Sequence, residues 1–162
     1  MADERPSLDT SEIIQVFTHW SIEVPTCFST AFVAPEGYWN GWATDRSISL
    51  TSLTVDDGGR PIPIDLLLAT MPEVPGTPVD RMPPDLQGRA AYGPVEQPAP
   101  ASSALCGLIA AEGCILIATI TSDDYAWARA TWLSIRHHPS RPVLRGGDIG
   151  AANARNRLVH LT

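Results

Sequence analysis

The first candidates for chemistry in this sequence are its three cysteines, Cys27, Cys106 and Cys114. Their odd number argues against a disulfide framework. Cys106 and Cys114 fall on the two arms of a predicted hairpin, in which Cys106 would lie opposite Thr119 and too far from Cys114 for a disulfide. No histidine stands near Cys27 in the sequence. We therefore expect three ordinary thiols in or near the core, with a reactive or metal-bound thiol as the alternative.

A histidine pair, His137 and His138, is the next candidate. Neighbouring residues on a helix point about 100° apart, so the two rings are poorly placed to hold one ion together. The sequence contains neither a His-Glu-x-x-His nor a Cys-x-x-Cys motif. We therefore expect no metal site, and we interpret the pair as positive charge at the end of a helix.

Two aspartate pairs complete the set of candidates. Asp56-Asp57 precedes two glycines and predicts a turn, whereas Asp123-Asp124 predicts the start of a helix. Nothing in the pattern indicates a carboxylate pair flanking a cleft, as a glycosidase requires. The chain contains no lysine, which excludes Schiff-base chemistry. We expect no catalytic residue and no cofactor.

An aromatic cluster is the one feature that suggests binding. Tyr38, Trp39 and Trp42 surround Gly41 just after a predicted turn. In one interpretation, alternate rings pack into the core and Gly41 relieves the crowding. In the other, Tyr38, Trp39 and Trp42 form an exposed platform for a partner or an apolar ligand.

Length, composition and charge limit the class of protein to which these candidate residues can belong. The 162 residues fit one domain, and 44% of them are hydrophobic, as in globular proteins. The net charge of −7 disfavours binding to nucleic acid or to a membrane surface, since both are anionic. The acidic start, residues 1–6, does not resemble a signal peptide, and the apolar stretch 104–120 is interrupted by Glu112. We expect a cytoplasmic protein.

Charge is distributed unevenly along the chain. Residues 1–135 carry 6 Arg against 17 Asp and Glu, a net charge of −11, and residues 136–162 carry 5 Arg against Asp148, a net charge of +4. We divide the chain into a loose lead-in (1–11), one domain (12–138) and a basic C-terminal extension (139–162). The extension is either solvated or docked on an acidic surface. We predict that it docks and supports a homodimer.

The pattern in the first half predicts several strands and one helix. Residues 20–25 alternate and end at Pro25, and 46–55 alternate up to the predicted turn, so both predict strands. Residues 28–33 predict a further short strand, and 12–17 fit either a strand or a helical turn. A short helix is expected over 63–70. Eight prolines within 72–100 disfavour regular structure there, apart from a short strand at 89–92.

The second half contains the clearest hairpin and helix. Residues 105–111 and 114–122 predict two strands joined at Glu112-Gly113, with Ala111 opposite Cys114, Ile109 opposite Leu116 and Leu105 opposite Ile120. Because the second strand is apolar on both faces, we expect a layer of helices or loops on each side of it. A helix is predicted from 125 to about 138, with Tyr125, Ala128, Trp132 and Ile135 on its apolar side.

The order of these elements resembles a known family. The stretch Trp-Ala-Arg-Ala-Thr-Trp-Leu-Ser-Ile-Arg at 127–136, together with the early strand at 20–25, is similar to the Mog1/PsbP-like superfamily, specifically to bacterial members of the DUF1795/LpqN type. The resemblance covers roughly residues 12–138. It implies an α+β fold in which an antiparallel sheet packs between helices (an α/β/α sandwich), and a binding, carrier, chaperone or assembly role. It transfers no catalytic residue.

These observations favour a non-catalytic binding or interaction module of a bacterial cytoplasm, with a protein as its partner. One alternative is a carrier of small apolar ligands, with a pocket between sheet and helix. Another is an enzyme of unknown type. A deep pocket with convergent polar groups favours the alternatives, and a flat aromatic patch favours the interaction module.

Overall fold

The computed structural model describes residues 10–33, 37–96 and 100–139. Strands dominate this part of the chain. The elements follow one another as β1 (Ser11–Phe17), β2 (Trp20–Pro25), β3 (Ser29–Val33), β4 (Tyr38–Trp42), β5 (Ser47–Thr54), β6 (Asp56–Asp57), β7 (Arg60–Pro61), α1 (Ile64–Thr70), β8 (Thr77–Pro78), β9 (Gln87–Pro94), β10 (Ser103–Ala111), β11 (Cys114–Thr121), α2 (Tyr125–Leu133) and β12 (Arg136–His137).

A seven-stranded antiparallel sheet forms the body, in the order β3-β4-β5-β11-β10-β9-β8. Its centre is the β10–β11 hairpin, which turns at Gly113 with φ +70°, a conformation that glycine adopts without strain. The hairpin pairs Ala111 with Cys114, Ile109 with Leu116 and Leu105 with Ile120. The register predicted from the turn is therefore confirmed.

A three-stranded sheet, in the order β1-β2-β12, covers one face of the large sheet together with α2. We call this covered face the inner face. Its largest fully buried side chains include Trp20, Trp132 and Leu105. At Gly107 on β10, a Cβ atom would lie 2.3 Å from the ring of Trp132, so the indole rests directly on the strand backbone. Trp132, predicted on the apolar side of the helix, is therefore buried against the hairpin.

The opposite face of the large sheet, the outer face, is covered only in part. Leu67 of helix α1 and Met71, the C-cap residue, pack against Ala110, with Leu108 and Ile115 beside them. Pro63 occupies the N-cap position of this helix. The rest of the outer face, towards β4 and β5, includes exposed apolar residues.

The expected α+β fold, a sheet packed between helices, is wrong. The protein is a β-rich, mostly antiparallel structure with two short helices in its described part. The inner face is covered largely by a second sheet because the N-terminal segment pairs with itself as β1 and β2 rather than forming a helix. Residues 12–17 fitted either a strand or a helical turn in the sequence pattern, and they lie in strand β1.

The prediction of a helix up to about residue 138 is also wrong at its C-terminal end. Helix α2 ends at Leu133, and Arg136 and His137 pair with β2 instead. The backbone N–H of His138 donates to the carbonyl of His19 at 2.7 Å. The charge of the pair therefore does not lie in the last helical turn, because tertiary pairing with β2 satisfies these backbone groups better than further helix would.

The proline-rich region contains more strand than predicted, because β9 covers eight residues and its only proline is the last one. Of the predicted lead-in 1–11, only Thr10 and Ser11 are described, and Ser11 already belongs to β1. Apart from Pro139, the predicted basic extension lies outside the described residues.

Candidate functional site on the outer face of the sheet

Strand β4 divides the aromatic cluster between the two faces of the sheet. Trp39 points to the inner face and is 5% exposed, so it belongs to the core. A Cβ atom on Gly41 would lie 2.6 Å from the Trp39 ring and 3.2 Å from the Phe28 ring, so only glycine fits beside these rings. For Trp39, core packing is therefore the interpretation that the structure bears out, and this side chain cannot contact a partner.

Tyr38 and Trp42 point to the outer face, but they do not meet. They are four residues apart on one strand, which corresponds to about 13 Å. Asn40 lies between them and its Oδ1 accepts a hydrogen bond from the Ser49 hydroxyl of β5. Trp42 is 43% exposed and Tyr38 is half-buried. The three-ring platform suggested by the sequence is therefore not formed.

Neighbouring strands instead surround Tyr38 with aliphatic side chains. In the sheet register, Tyr38 lies opposite Thr51 and Thr51 lies opposite Ile117. Leu53 is the next residue along β5 on the same face. Leu53 is 44% exposed and Ile117 is 36% exposed, near the middle of the sheet. We call Tyr38, Thr51, Leu53 and Ile117 the outer patch.

Leu53 and Ile117 were not predicted as site residues. The sequence does contain a signal for them, since β5 and β11 each carry apolar residues on both faces. The signal does not reveal that β5 pairs with β4 on one side and with β11 on the other, which is what assembles the patch.

Acidic side chains lie at one end of the patch. Asp56 and Asp57 follow directly after β5, and Asp65 lies in the first turn of α1, which packs beside Ile115. All three are exposed. Arg89, in the same row of the sheet as Ile117, donates to the backbone carbonyl of Met71 at 2.9 Å. Arg60 lies opposite Asp57 in the β6–β7 pair, so the three Asp and two Arg at this end of the sheet leave one net negative charge, a weak preference for positive charge on a partner.

A second concentration of polar groups lies at the end of the sheet, in a cleft of about 520 Å³ lined by residues that include His19, Cys114 and His137. The Cys114 sulfur is 3.8 Å from Nε2 of His137. The His137 ring lies 4.7 Å from the Trp20 ring and 6.1 Å from the His19 ring, measured between centroids. This cluster places a potential nucleophile, Cys114, beside a potential base, His137.

Its electrostatics do not activate a nucleophile. Burial raises the pKa of the Cys114 thiol. Burial, followed by the charges of His19 and His138, lowers the pKa of His137. Both shifts favour the neutral forms near pH 7, whereas a reactive cysteine needs a thiolate beside an imidazolium. The described residues contain no group of three or more His, Cys, Asp and Glu arranged to hold a metal ion.

The histidine pair instead holds β12 in place. His137 packs inward on Trp20, and Nε2 of His138 lies 2.8 Å from the Ser21 hydroxyl on the opposite strand. Of the cysteines, Cys114 is buried and Cys106 half-buried, while Cys27 is exposed, which differs from the expectation of a core position. No disulfide joins them.

The aspartate pairs have the predicted structural roles. Asp56 accepts a hydrogen bond from the backbone N–H of Gly59 at 3.1 Å, which closes the β6–β7 turn. Asp124 is the N-cap of α2 and accepts from the backbone N–H of Trp127 at 3.0 Å.

No protein-family model, curated protein or solved structure matches this chain. The relationship to the Mog1/PsbP-like superfamily therefore stays a prediction. Within the part of the chain that the structure describes, neither helix has the length and apolar character needed to cross a membrane.

Proposed function

We propose that this chain is a non-catalytic interaction module that binds a protein partner on the outer patch. The observation that carries the proposal is the exposure of Leu53 and Ile117 on the outer face of a sheet whose inner face holds the main hydrophobic core. Apolar side chains grouped on a rigid surface are typical of interaction sites. Tyr38 adds a ring and a hydroxyl, a combination that is enriched at binding hot spots.

The partner that we propose is a protein segment in which apolar side chains alternate with Lys or Arg. The apolar side chains would cover the outer patch, and the basic ones would face Asp56, Asp57 and Asp65 at its border. The net charge of −7 favours the same partner and disfavours nucleic acid and anionic membranes. The odd number of cysteines supports the bacterial cytoplasm as the compartment.

The two alternative functions receive less support. A carrier needs space between the sheet and α2, and Trp132 and Gly107 fill that region by direct contact. An enzyme needs activated groups, and Cys114 and His137 favour their neutral forms. The docking of the basic extension 139–162 and its support of a homodimer stay predictions, since residues 140–162 lie outside the described part.

Selection of displayed random peptides on the full-length protein tests this function. We expect the enriched peptides to combine apolar and basic residues and to bind more weakly as salt is raised. Ile117→Thr and Leu53→Thr keep strand-forming residues in the sheet but remove apolar contact. Each should weaken binding by about 30-fold, the effect of losing a hot-spot contact of about 2 kcal/mol.

The matched control is Ile13→Thr, which alters an isoleucine on β1 that is 76% exposed and lies in the other sheet. It should leave peptide affinity unchanged. Failure to enrich any peptide, or equal losses for Ile13→Thr and Ile117→Thr, would contradict the proposal.

A further inference from the structure

The edges of the two larger sheets differ in how they are protected against pairing with another chain. Strand β8, one edge of the large sheet, has two residues and ends in Pro78. The small sheet ends in β12, two residues that include Arg136, and in β1, which carries Glu12 and an irregularity between Gln15 and Phe17. Short strands, proline, charge and bulges are the usual means of blocking an open edge.

The remaining edge, β3, has none of these protections. Its five residues are Ser-Thr-Ala-Phe-Val, without charge or proline. It pairs with β4 in unbroken register from Ser29–Trp42 to Val33–Tyr38. Within the described residues, no further strand pairs with the outer backbone edge of β3. Phe32 on this strand is 54% exposed, and its ring lies edge-on to Phe17 at 5.9 Å.

We propose that a second copy of this chain pairs antiparallel with β3, about a two-fold axis at Ala31. An antiparallel pair of identical strands is self-complementary, which is the condition for a closed dimer. In this register Ala31 lies opposite Ala31, Thr30 opposite Phe32, and Ser29 opposite Val33. The proposal is independent of the outer patch.

Charge restricts where a second copy can dock. Two chains that each carry −7 repel one another, so a self-contact is favoured where the surface carries no charge. β3 is such a segment. The small side chain of Ala31 allows close approach at the axis. The two copies of Phe32 become diagonal neighbours on the inner side, at a separation that aromatic rings span, and each covers exposed ring surface of the other.

The pairing would join two seven-stranded sheets into one. Because Ala31 faces Ala31 on the outer side, both outer faces would lie on the same side of the joined sheet. The dimer would then present two outer patches to a partner rather than one.

Light scattering of the full-length protein tests the interface. The wild type should have twice the mass of the 17.4 kDa chain. Ala31→Lys and Ala31→Glu each place like charges opposite one another and should give monomers. An equimolar mixture of the two variants should restore the dimer as a heterodimer. The matched control, Thr77→Lys on the β8 edge, should remain dimeric.

A cross-link provides a second measurement that does not depend on these charges. In a Cys27→Ser background, Ala31→Cys should form an intermolecular disulfide under mild oxidation, and Thr77→Cys should not. A monomeric wild type that forms no such cross-link would overturn the proposal. A dimer that survives Ala31→Lys would also overturn the proposal. This holds even if the dimer is lost when the chain is truncated after Pro139, because the interface would then lie elsewhere.

Discussion

The inner and outer faces of the large sheet are built from the same strands but have different environments. On β11, Leu116 and Ile120 of the inner face are fully buried, whereas Ile117 of the outer face is 36% exposed. On β5, Leu50 is fully buried and Leu53 is 44% exposed. The apolar character of a side chain therefore does not decide its role here. The layer above it does: a second sheet and α2 cover the inner face, whereas α1 covers only part of the outer face and leaves Leu53 and Ile117 exposed.

The largest expected effect is the loss of an inner-face ring. Trp132→Ala removes a fully buried side chain whose indole N–H also donates to the carbonyl of Arg81 at 3.1 Å. We expect it to lower the free energy of unfolding by about 3–5 kcal/mol. Urea denaturation followed by circular dichroism measures the change. The matched variant Trp42→Ala, on the outer face, should cost less than about 1 kcal/mol. Equal costs for the two would remove the distinction between the faces.

A smaller effect is expected from overpacking the inner face. Gly107→Ala adds a Cβ atom 2.3 Å from the Trp132 ring and should destabilise the protein by about 1–3 kcal/mol. In a Trp132→Leu background the ring is gone, so the same substitution should cost much less. A double-mutant cycle measures this coupling. Purely additive costs would show that the close contact is not the cause.

The pH dependence of stability tests the packing of His137, on strand β12, against the inner-face residue Trp20. The pKa of His137 is lowered in the folded protein by burial and by the charges of His19 and His138. The unfolded chain therefore takes up this proton at a higher pH, near 6.5, than the folded chain does. This contribution to stability is present above pH 6.5 and is lost as the pH falls through the lowered pKa.

Thermal melts between pH 8 and pH 5 measure the effect of His137. His137→Asn should flatten the loss of stability over this range relative to the wild type. An unchanged pH profile in the variant would assign the dependence to other groups.

The smallest effect is expected on the outer face. Leu53→Thr should change the free energy of unfolding by about 0.5 kcal/mol or less, as is usual for exposed positions. The same variant should weaken peptide binding strongly, so the two measurements separate stability from function. A destabilisation comparable with that of Gly107→Ala would show that Leu53 is part of a packed layer.

The central hairpin shows how much of the fold can be predicted from the sequence. A two-residue turn with glycine sets the register of both arms, and Ile109 meets Leu116 as predicted. Strand β2 and helix α1 also lie close to the predicted positions, since Pro25 and Pro63 mark their boundaries. These features depend on neighbours within a few residues.

The candidate site could be predicted only in part. Of the aromatic cluster, Tyr38 lies in the outer patch, Trp39 is buried and Trp42 lies apart. Leu53 and Ile117 join Tyr38 only because β5 pairs with β4 and β11. More than 60 residues of chain separate Leu53 from Ile117, and no local pattern shows that such segments are neighbours.

The sequence by itself determined strand β2, the central hairpin, helix α1 and the N-cap of α2, because alternation, glycine, proline and Asp124 act over a few residues. Only the tertiary structure decided the fold class. Arg136 and His137 follow an apolar helical pattern as cations that suit a last helical turn, but backbone pairing with β2 takes them into a strand. Likewise, a strand with apolar side chains on both faces can have a packing layer over both faces or over only one. That choice depends on the space that distant segments fill: here β1, β2 and α2 cover the inner face, and α1 covers only part of the outer face.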